Sequence, residues 1–189
     1  IPAGFIKTLT NPKVNWLYEA EPSHWTGGRA MPVPRGKTLG GSSSINGSIY
    51  NRGQRMDFDG WAQRGNSGWG YADVLPYFRR SETRIGAGDD VFRGRSGPLR
   101  VTDIPVRNPL CDAFIAGAGE LGIPHNPDYN GAAQAGVSYV QRTVYKGRRV
   151  SAATAFLNPA KSRKNLKIIT RAQATRLLLD GKRAVGVEA

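Results

Sequence analysis

Apolar positions fall at helical spacing in three places along the chain. Phe58 and Trp61 stand three residues apart within 57–64. Val74, Leu75, Tyr77 and Phe78 make one face of 71–83, and Leu110-Cys111-Asp112-Ala113-Phe114 opens a third run ending near Leu121. Separations of three and four place such residues on one side of a helix. Pro76 fits the second helix only if that helix begins shortly before it. Asn108-Pro109 supplies a cap and a first-turn proline for the third, and Gly122 a stop. Alternation predicts strands at Leu99–Thr102 and 136–145, the latter ended by Lys146-Gly147, and Leu166-Lys167-Ile168-Ile169-Thr170 reads as another. The segments 175–179 and 184–188 flank Asp180-Gly181, a hairpin signal. Ser151 caps a helical stretch to about Ala160, and the serines at 42–44 cap a short helix starting at Ile45. Residues 1–34 and 84–97 read as loops. Helices alternating with separated strands indicate an α/β or α+β chain.

Length and composition narrow this picture. At 189 residues the chain suffices for one domain or parts of two. No apolar run reaches the ~20 residues of a membrane-crossing helix. Ile1 is an unusual start, and 1–20 lacks the pattern of a signal peptide, so the chain reads as the interior of a longer one. The lone Cys111 excludes an internal disulfide and is expected to be a small buried hydrophobe. These features suit a cytoplasmic protein, or one peripheral to the inner membrane face. Trp16, Trp25, Trp61 and Trp69 are expected to be buried anchors.

The net charge of +13 raises the possibility of nucleic acid. However, the basic residues lie singly and in pairs, as at Arg79-Arg80 and Arg148-Arg149, and do not interleave with aromatics. The pattern argues against a nucleic-acid partner, although a basic nucleic-acid or phosphate-binding module remains the alternative reading. No cysteine or histidine spacing suggests a metal. Asp89-Asp90 reads as a solvated pair, and 161–164 as a solvated helix end. His24 and His125 read as structural or solvated, so no catalytic residue is assigned.

The informative stretch is Arg35-Gly36-Lys37-Thr38-Leu39-Gly40-Gly41-Ser42-Ser43-Ser44-Ile45-Asn46-Gly47-Ser48-Ile49-Tyr50-Asn51-Arg52-Gly53. Its glycines let backbone approach a ligand, and its serines offer donors to anionic oxygens. On those grounds alone it is either a phosphate- or ring-binding turn or a plain turn into a helix. The whole string, with Asp59, resembles the first signature of the glucose–methanol–choline oxidoreductases. Asn15-Trp16-Leu17-Tyr18, Glu21-Pro22, Gly68-Trp69, Leu75-Pro76-Tyr77-Phe78 and Gly97-Pro98-Leu99 continue the resemblance. So do 148–157 and the stretch from Asn165-Leu166 to Glu188. Arg93 stands where the family usually has histidine. The branch is similar to the choline dehydrogenases.

The resemblance implies an α/β fold: part of an FAD/NAD(P)-binding Rossmann-like domain in 1–60 and 151–189, and part of an α+β substrate or lid domain in 61–150. It implies FAD contacts at Thr38, Gly40, Gly41, Asn46, Gly47, Ser48 and Ile49, with Ala174 at the adenine. Some relatives link FAD covalently through a histidine before the motif asparagine. Ile45 stands there, implying non-covalent FAD and a side chain packed on the ring or the core. The implied activity is oxidation of a small primary alcohol to an aldehyde, by hydride transfer to FAD and then to oxygen, a quinone or another acceptor. An FAD-containing lyase is the alternative within the family. The family's diphosphate-binding Gly-x-Gly-x-x-Gly segment, its second signature and its proton-abstracting C-terminal histidine are not in this sequence.

Overall fold

The computed structural model describes residues 2–189. It divides into two compact units, Ile1–Pro159 and Ala160–Ala189. The first opens with a 3-10 turn, Pro2–Thr8, followed by the antiparallel strands β1 (Tyr18–Ala20) and β2 (Met31–Val33). Asn15, almost wholly buried, organises this entrance. Its amide donates to the Leu9 carbonyl at 2.8 Å and accepts from the backbone N–H groups of Leu17 and Arg35, at 3.1 and 3.0 Å. The chain is thereby fixed where it enters the glycine-serine string.

Helices α1 (Arg55–Gln63) and α2 (Tyr71–Ser81) follow. Asp59 on α1 accepts from the first N–H of α2, at Tyr71, over 2.8 Å. Phe58 is buried between the helices, its ring 5.5 Å from that of Phe78 and 5.4 Å from that of Trp61. Strands β3 (Glu82–Ile85) and β4 (Leu99–Thr102) are parallel neighbours, joined by 86–98. Helix α3 (Pro109–Glu120) begins as its sequence predicts: the Asn108 side chain accepts from Leu110 N–H at 2.9 Å. A hairpin of β5 (Val144–Tyr145) and β6 (Arg148–Arg149) turns through Lys146 and Gly147, both at positive φ. Residues 152–160 are helical, with a π-helical middle, and Ser151 Oγ accepts from Thr154 N–H as the expected cap.

The largest side chains wholly withdrawn from solvent in the first unit are polar: Arg93, Gln141 and Glu82. Glu82 is flanked by the guanidinium groups of Arg52 and Arg93, and Arg93 also reaches Asp128 and Gln141. Buried Arg84 is paired with Asp103 by two hydrogen bonds of 2.7 and 2.8 Å. Three arginines are thus neutralised in the interior, where an unpaired charge would be prohibitive. With Glu82, Asp103 and Asp128 as partners the cluster is net neutral, so these three arginines make no basic face.

The second unit is the hairpin of β7 (Arg176–Asp180) and β8 (Arg183–Glu188), with 160–175 before it. Asp180 is still paired, to Arg183, so the loop is Gly181-Lys182, one residue later than expected.

Several expectations fail. The serines at 42–44 do not cap a helix from Ile45; they lie within a 3-10 turn, Gly41–Ser44, and the helix never forms. The Asn46 side chain captures the Ser48 N–H at 3.0 Å, and Ser48 adopts φ +65°, which breaks helical geometry. Of 136–145 only β5 is a regular strand. Val137 makes an isolated bridge to His125, and Arg142 is shared between single bridges to Ile49 and Thr102. The segment 166–170 finds no partner strand among the described residues of its unit and stays irregular. Pro76 is the sixth residue of α2, deeper than expected, and is tolerated on an exposed side. Glu82 and Thr83, expected to end that helix, begin β3 instead.

Cys111 is exposed, since α3 turns Ile115 and Ala118 inward and leaves Leu110 and Phe114 outward. Trp25, Trp61 and Trp69 are exposed too, Trp25 at 92%. Trp61 and Trp69 pack edge to face at 5.7 Å as an outer layer over Phe58. Trp16 is half-buried, with the Lys37 ammonium 4.7 Å above its ring.

Candidate ligand-binding turn

The string from Gly36 to Arg52 is held at its start by residues about twenty positions earlier and through its middle by residues about a hundred positions later. At its start Gly36 bridges Asn15, and Lys37 N–H donates to the Val14 carbonyl at 2.7 Å. Gly41 N–H then closes onto the Thr38 carbonyl at 2.8 Å, with Gly40 and Gly41 both in the left-handed region. Gly40 has a second reason to be glycine. A Cβ there would lie 3.1 Å from the backbone nitrogen of Ala153 and 2.5 Å from Ser44 Oγ. Ser43 Oγ accepts from Ala152 N–H at 2.9 Å, so the turn also caps the helical segment it touches.

Beyond Ile45, which is buried in the core, the string runs beside 141–143. Thr143 N–H donates to the Ser48 carbonyl at 2.8 Å, and Tyr50 N–H to the Gln141 carbonyl at 2.9 Å. Arg142 continues the layer by exchanging backbone hydrogen bonds with Thr102 at 2.9 Å in both directions. Arg149, presented by β6, donates to Asn46 Oδ1 at 2.6 Å and to the Ser43 carbonyl at 3.3 Å. Partial burial lowers the Arg149 pKa from its ordinary value by desolvating the charge.

At the far end Arg52 joins the string to the buried ion cluster. Its Nε donates to the Tyr50 hydroxyl at 3.3 Å and its Nη1 to the Phe92 carbonyl at 2.7 Å. Tyr50 is pushed above its ordinary pKa of 10.0 by burial, and the adjacent Arg52 opposes the shift.

The expected contact residues divide into three groups. Thr38, Gly40 and Gly41 form the tight turn; Thr38 is exposed and the glycines half-exposed. Asn46, Gly47 and Ile49 are exposed around Ser48, which is buried. Ala174 lies exposed in the second unit, before β7. Three donors on the middle group have no protein acceptor among the described residues: Asn46 Nδ2, the Gly47 N–H and the buried Ser48 Oγ. Arg142 Nε, one bridge away from Ile49, is also buried without a partner. Arg149, Arg52 and Gln141 hold this region and were not singled out in the sequence. The pair Arg148-Arg149 beside Ser151 was the only trace of the first, and the contact itself is visible only in three dimensions.

Comparison with known proteins decides the family. A GMC oxidoreductase family model matches residues 8–189. The chain belongs to the GMC oxidoreductase family. It is 45% identical over its whole length to the oxygen-dependent choline dehydrogenase of Sinorhizobium fredii, of which it covers 34%. The chain therefore spans about a third of such curated relatives. Among solved GMC-like structures it is similar to pyridoxine 4-oxidase from Mesorbium loti, with a TM-score of 0.88 and 34% identity. That match covers 98% of this chain and 37% of the other. An FAD-dependent oxidoreductase from Chaetomium thermophilum matches with a TM-score of 0.81 and 27% identity, over 94% of this chain and 35% of that one. The α/β class expected from the sequence is the fold of these GMC neighbours. Among the described residues no helix is long and apolar enough to cross a membrane.

Proposed function

We propose that this chain supplies the flavin-facing turn of an FAD-dependent alcohol oxidoreductase whose substrate is a small primary alcohol of the choline type. The observation that carries the reading is the pair of unspent donors on exposed residues, Asn46 Nδ2 and the Gly47 N–H, on a backbone clamped by 141–149. Donors left free on a rigid, exposed backbone can be offered to a ligand without reorganisation. The similarity to oxygen-dependent choline dehydrogenases and to an FAD-dependent oxidoreductase supports the substrate class, the cofactor and oxygen as an electron acceptor.

The residues suit FAD. The ring edge is polar and would be met by Asn46 Nδ2 and the Gly47 N–H, both on exposed residues, while exposed Ile49 offers an apolar surface beside them. Ile45 is 4% exposed and committed to the core, and it carries no nucleophile, so attachment is non-covalent. When bound, FAD supplies a two-electron sink for the hydride leaving the alcohol carbon, and the hydroxyl proton must go to a base. This chain's part is to bind and orient; His24 and His125 are exposed and neither is assigned as that base. Three buried arginines committed to Glu82, Asp103 and Asp128 weaken the case for a nucleic-acid module.

The test is the visible spectrum of the protein expressed from its whole reading frame, before and after acid precipitation, followed by oxygen uptake with choline and other primary alcohols. Yellow protein that releases its colour into acid and oxidises an alcohol supports the proposal. Colour retained in the pellet refutes non-covalent attachment. Protein that stays colourless after incubation with FAD refutes the flavoenzyme reading.

A further inference from the structure

From the hydrogen-bond pattern around Asn46 we infer that Arg149 is a positioning residue: it fixes the orientation of the Asn46 amide and so aims its NH2 group at the ligand. The inference rests on the proposal that this turn faces FAD. Asn46 Oδ1 accepts two hydrogen bonds at once, from Ser48 N–H at 3.0 Å and from Arg149 Nη1 at 2.6 Å. A side-chain amide has one acceptor end and one donor end. With both donors converging on the oxygen, rotation of the amide would set its NH2 group against an N–H and a guanidinium. That orientation is forbidden, so Nδ2 is turned away from the protein and has no partner among the described residues. Of the two clamps, the backbone N–H of Ser48 comes with the turn itself. Arg149 is the one supplied from outside.

The position of Arg149 is itself determined. It pairs with Val144 across the β5–β6 hairpin, and Thr102 Oγ1 on β4 donates to the Val144 carbonyl at 2.7 Å. Val150 N–H adds a bond of 2.8 Å to the Thr143 carbonyl. The guanidinium is therefore delivered from a fixed backbone rather than from a free loop. A charged donor makes the stronger kind of hydrogen bond, and the same Nη1, which carries two hydrogens, also donates to the Ser43 carbonyl at 3.3 Å. Arg149 has no carboxylate partner among the described residues, so nothing there competes with Asn46 for it.

A double-mutant cycle on the flavin-loaded protein tests this, with FAD affinity read by titration of the stripped protein and thermal midpoint read beside it. Arg149→Met is expected to weaken FAD binding about tenfold, the effect of losing a charge-assisted hydrogen bond. Asn46→Ala is expected to weaken it by at least as much. Arg149→Met added to Asn46→Ala is expected to cost no further affinity, because Arg149 acts through the amide. Additive losses would overturn the inference and leave Arg149 a structural support for the turn. Should Arg149→Met fold poorly, Arg149→Lys retains a charged donor and is expected to bind FAD between wild type and Arg149→Met at an unchanged midpoint. Wild-type affinity in both Arg149 variants overturns the inference alone. Wild-type protein that never binds FAD overturns the flavin reading and the inference together.

Discussion

Arg93 and Glu82 form an ion pair from which solvent is wholly excluded, each side chain having no accessible surface. Glu82 divides its carboxylate: Oε1 takes Arg93, also through Nε at 3.0 Å, and Oε2 takes Arg52. The pair lies between the strand after α2 and the exit of the glycine-serine string. One carboxylate therefore couples those two regions.

Removing one member of such a cluster leaves an uncompensated buried charge, at a cost of about 3–5 kcal/mol. Glu82→Gln leaves buried Arg52 with no carboxylate among the described residues and Arg93 with only that of Asp128, whereas Arg93→Met leaves Glu82 still paired with Arg52 and frees only the partly exposed Asp128. Chemical denaturation is expected to rank Glu82→Gln as the more damaging substitution. Equal costs would mean that Arg52 does not depend on Glu82.

Tyr50 gives the protein a weakness to alkali. Burial raises its pKa above 10.0, so the folded state keeps a phenolic proton that the unfolded state has released. The stability contributed by this neutral phenol is complete below the unfolded value and is lost as pH rises through the folded one. Tyr129 is shifted in the same direction, also chiefly by burial. Melting temperatures should fall above pH ~10, and Tyr50→Phe should flatten that fall. An unchanged slope in Tyr50→Phe would assign the loss to other groups.

Two adjacent glycines should respond differently to alanine. Gly41 has φ +56° with open space where a Cβ would go, so Gly41→Ala carries only the left-handed strain of about 1 kcal/mol. Gly40 adds the close approach to Ala153 and Ser44, which pushes the turn off the segment it caps, for about 2–3 kcal/mol. FAD affinity should drop sharply in Gly40→Ala and modestly in Gly41→Ala. Similar behaviour of the two variants would show that contact with Ala153 does not shape the turn.

The sequence was most legible where local chemistry decides the outcome. The Asn108-Pro109 cap, Leu99–Thr102 and the 175–188 hairpin announce themselves by residues that act on their own backbone. Strand β3 was hidden for a physical reason. Its buried positions are Glu82 and Arg84, while Thr83 and Ile85 stay half-exposed, so the period of two is carried by charges. An apolar pattern cannot reveal a strand whose inward face is ionic. The turn itself was legible through its glycines and serines, but its clamps were not. Nothing local to Arg149 says that its side chain will meet Asn46. The burial assigned to Cys111, Trp61 and Trp69 failed because hydrophobicity states a preference, and α3 and the Trp61–Trp69 pair satisfy it only on one side.

The clasp between Asn46 and Arg149 spans 103 positions, and that between Ser43 and Ala152 spans 109. Contacts this far apart must close a long loop before they return any free energy, which makes them slow to form. During synthesis the glycine-serine string leaves the ribosome well before the hairpin that will shape it. Until Arg149 emerges, the nascent glycine-serine string lacks the donor that fixes the Asn46 amide, so the turn takes its final shape only after a further 103 residues have been made.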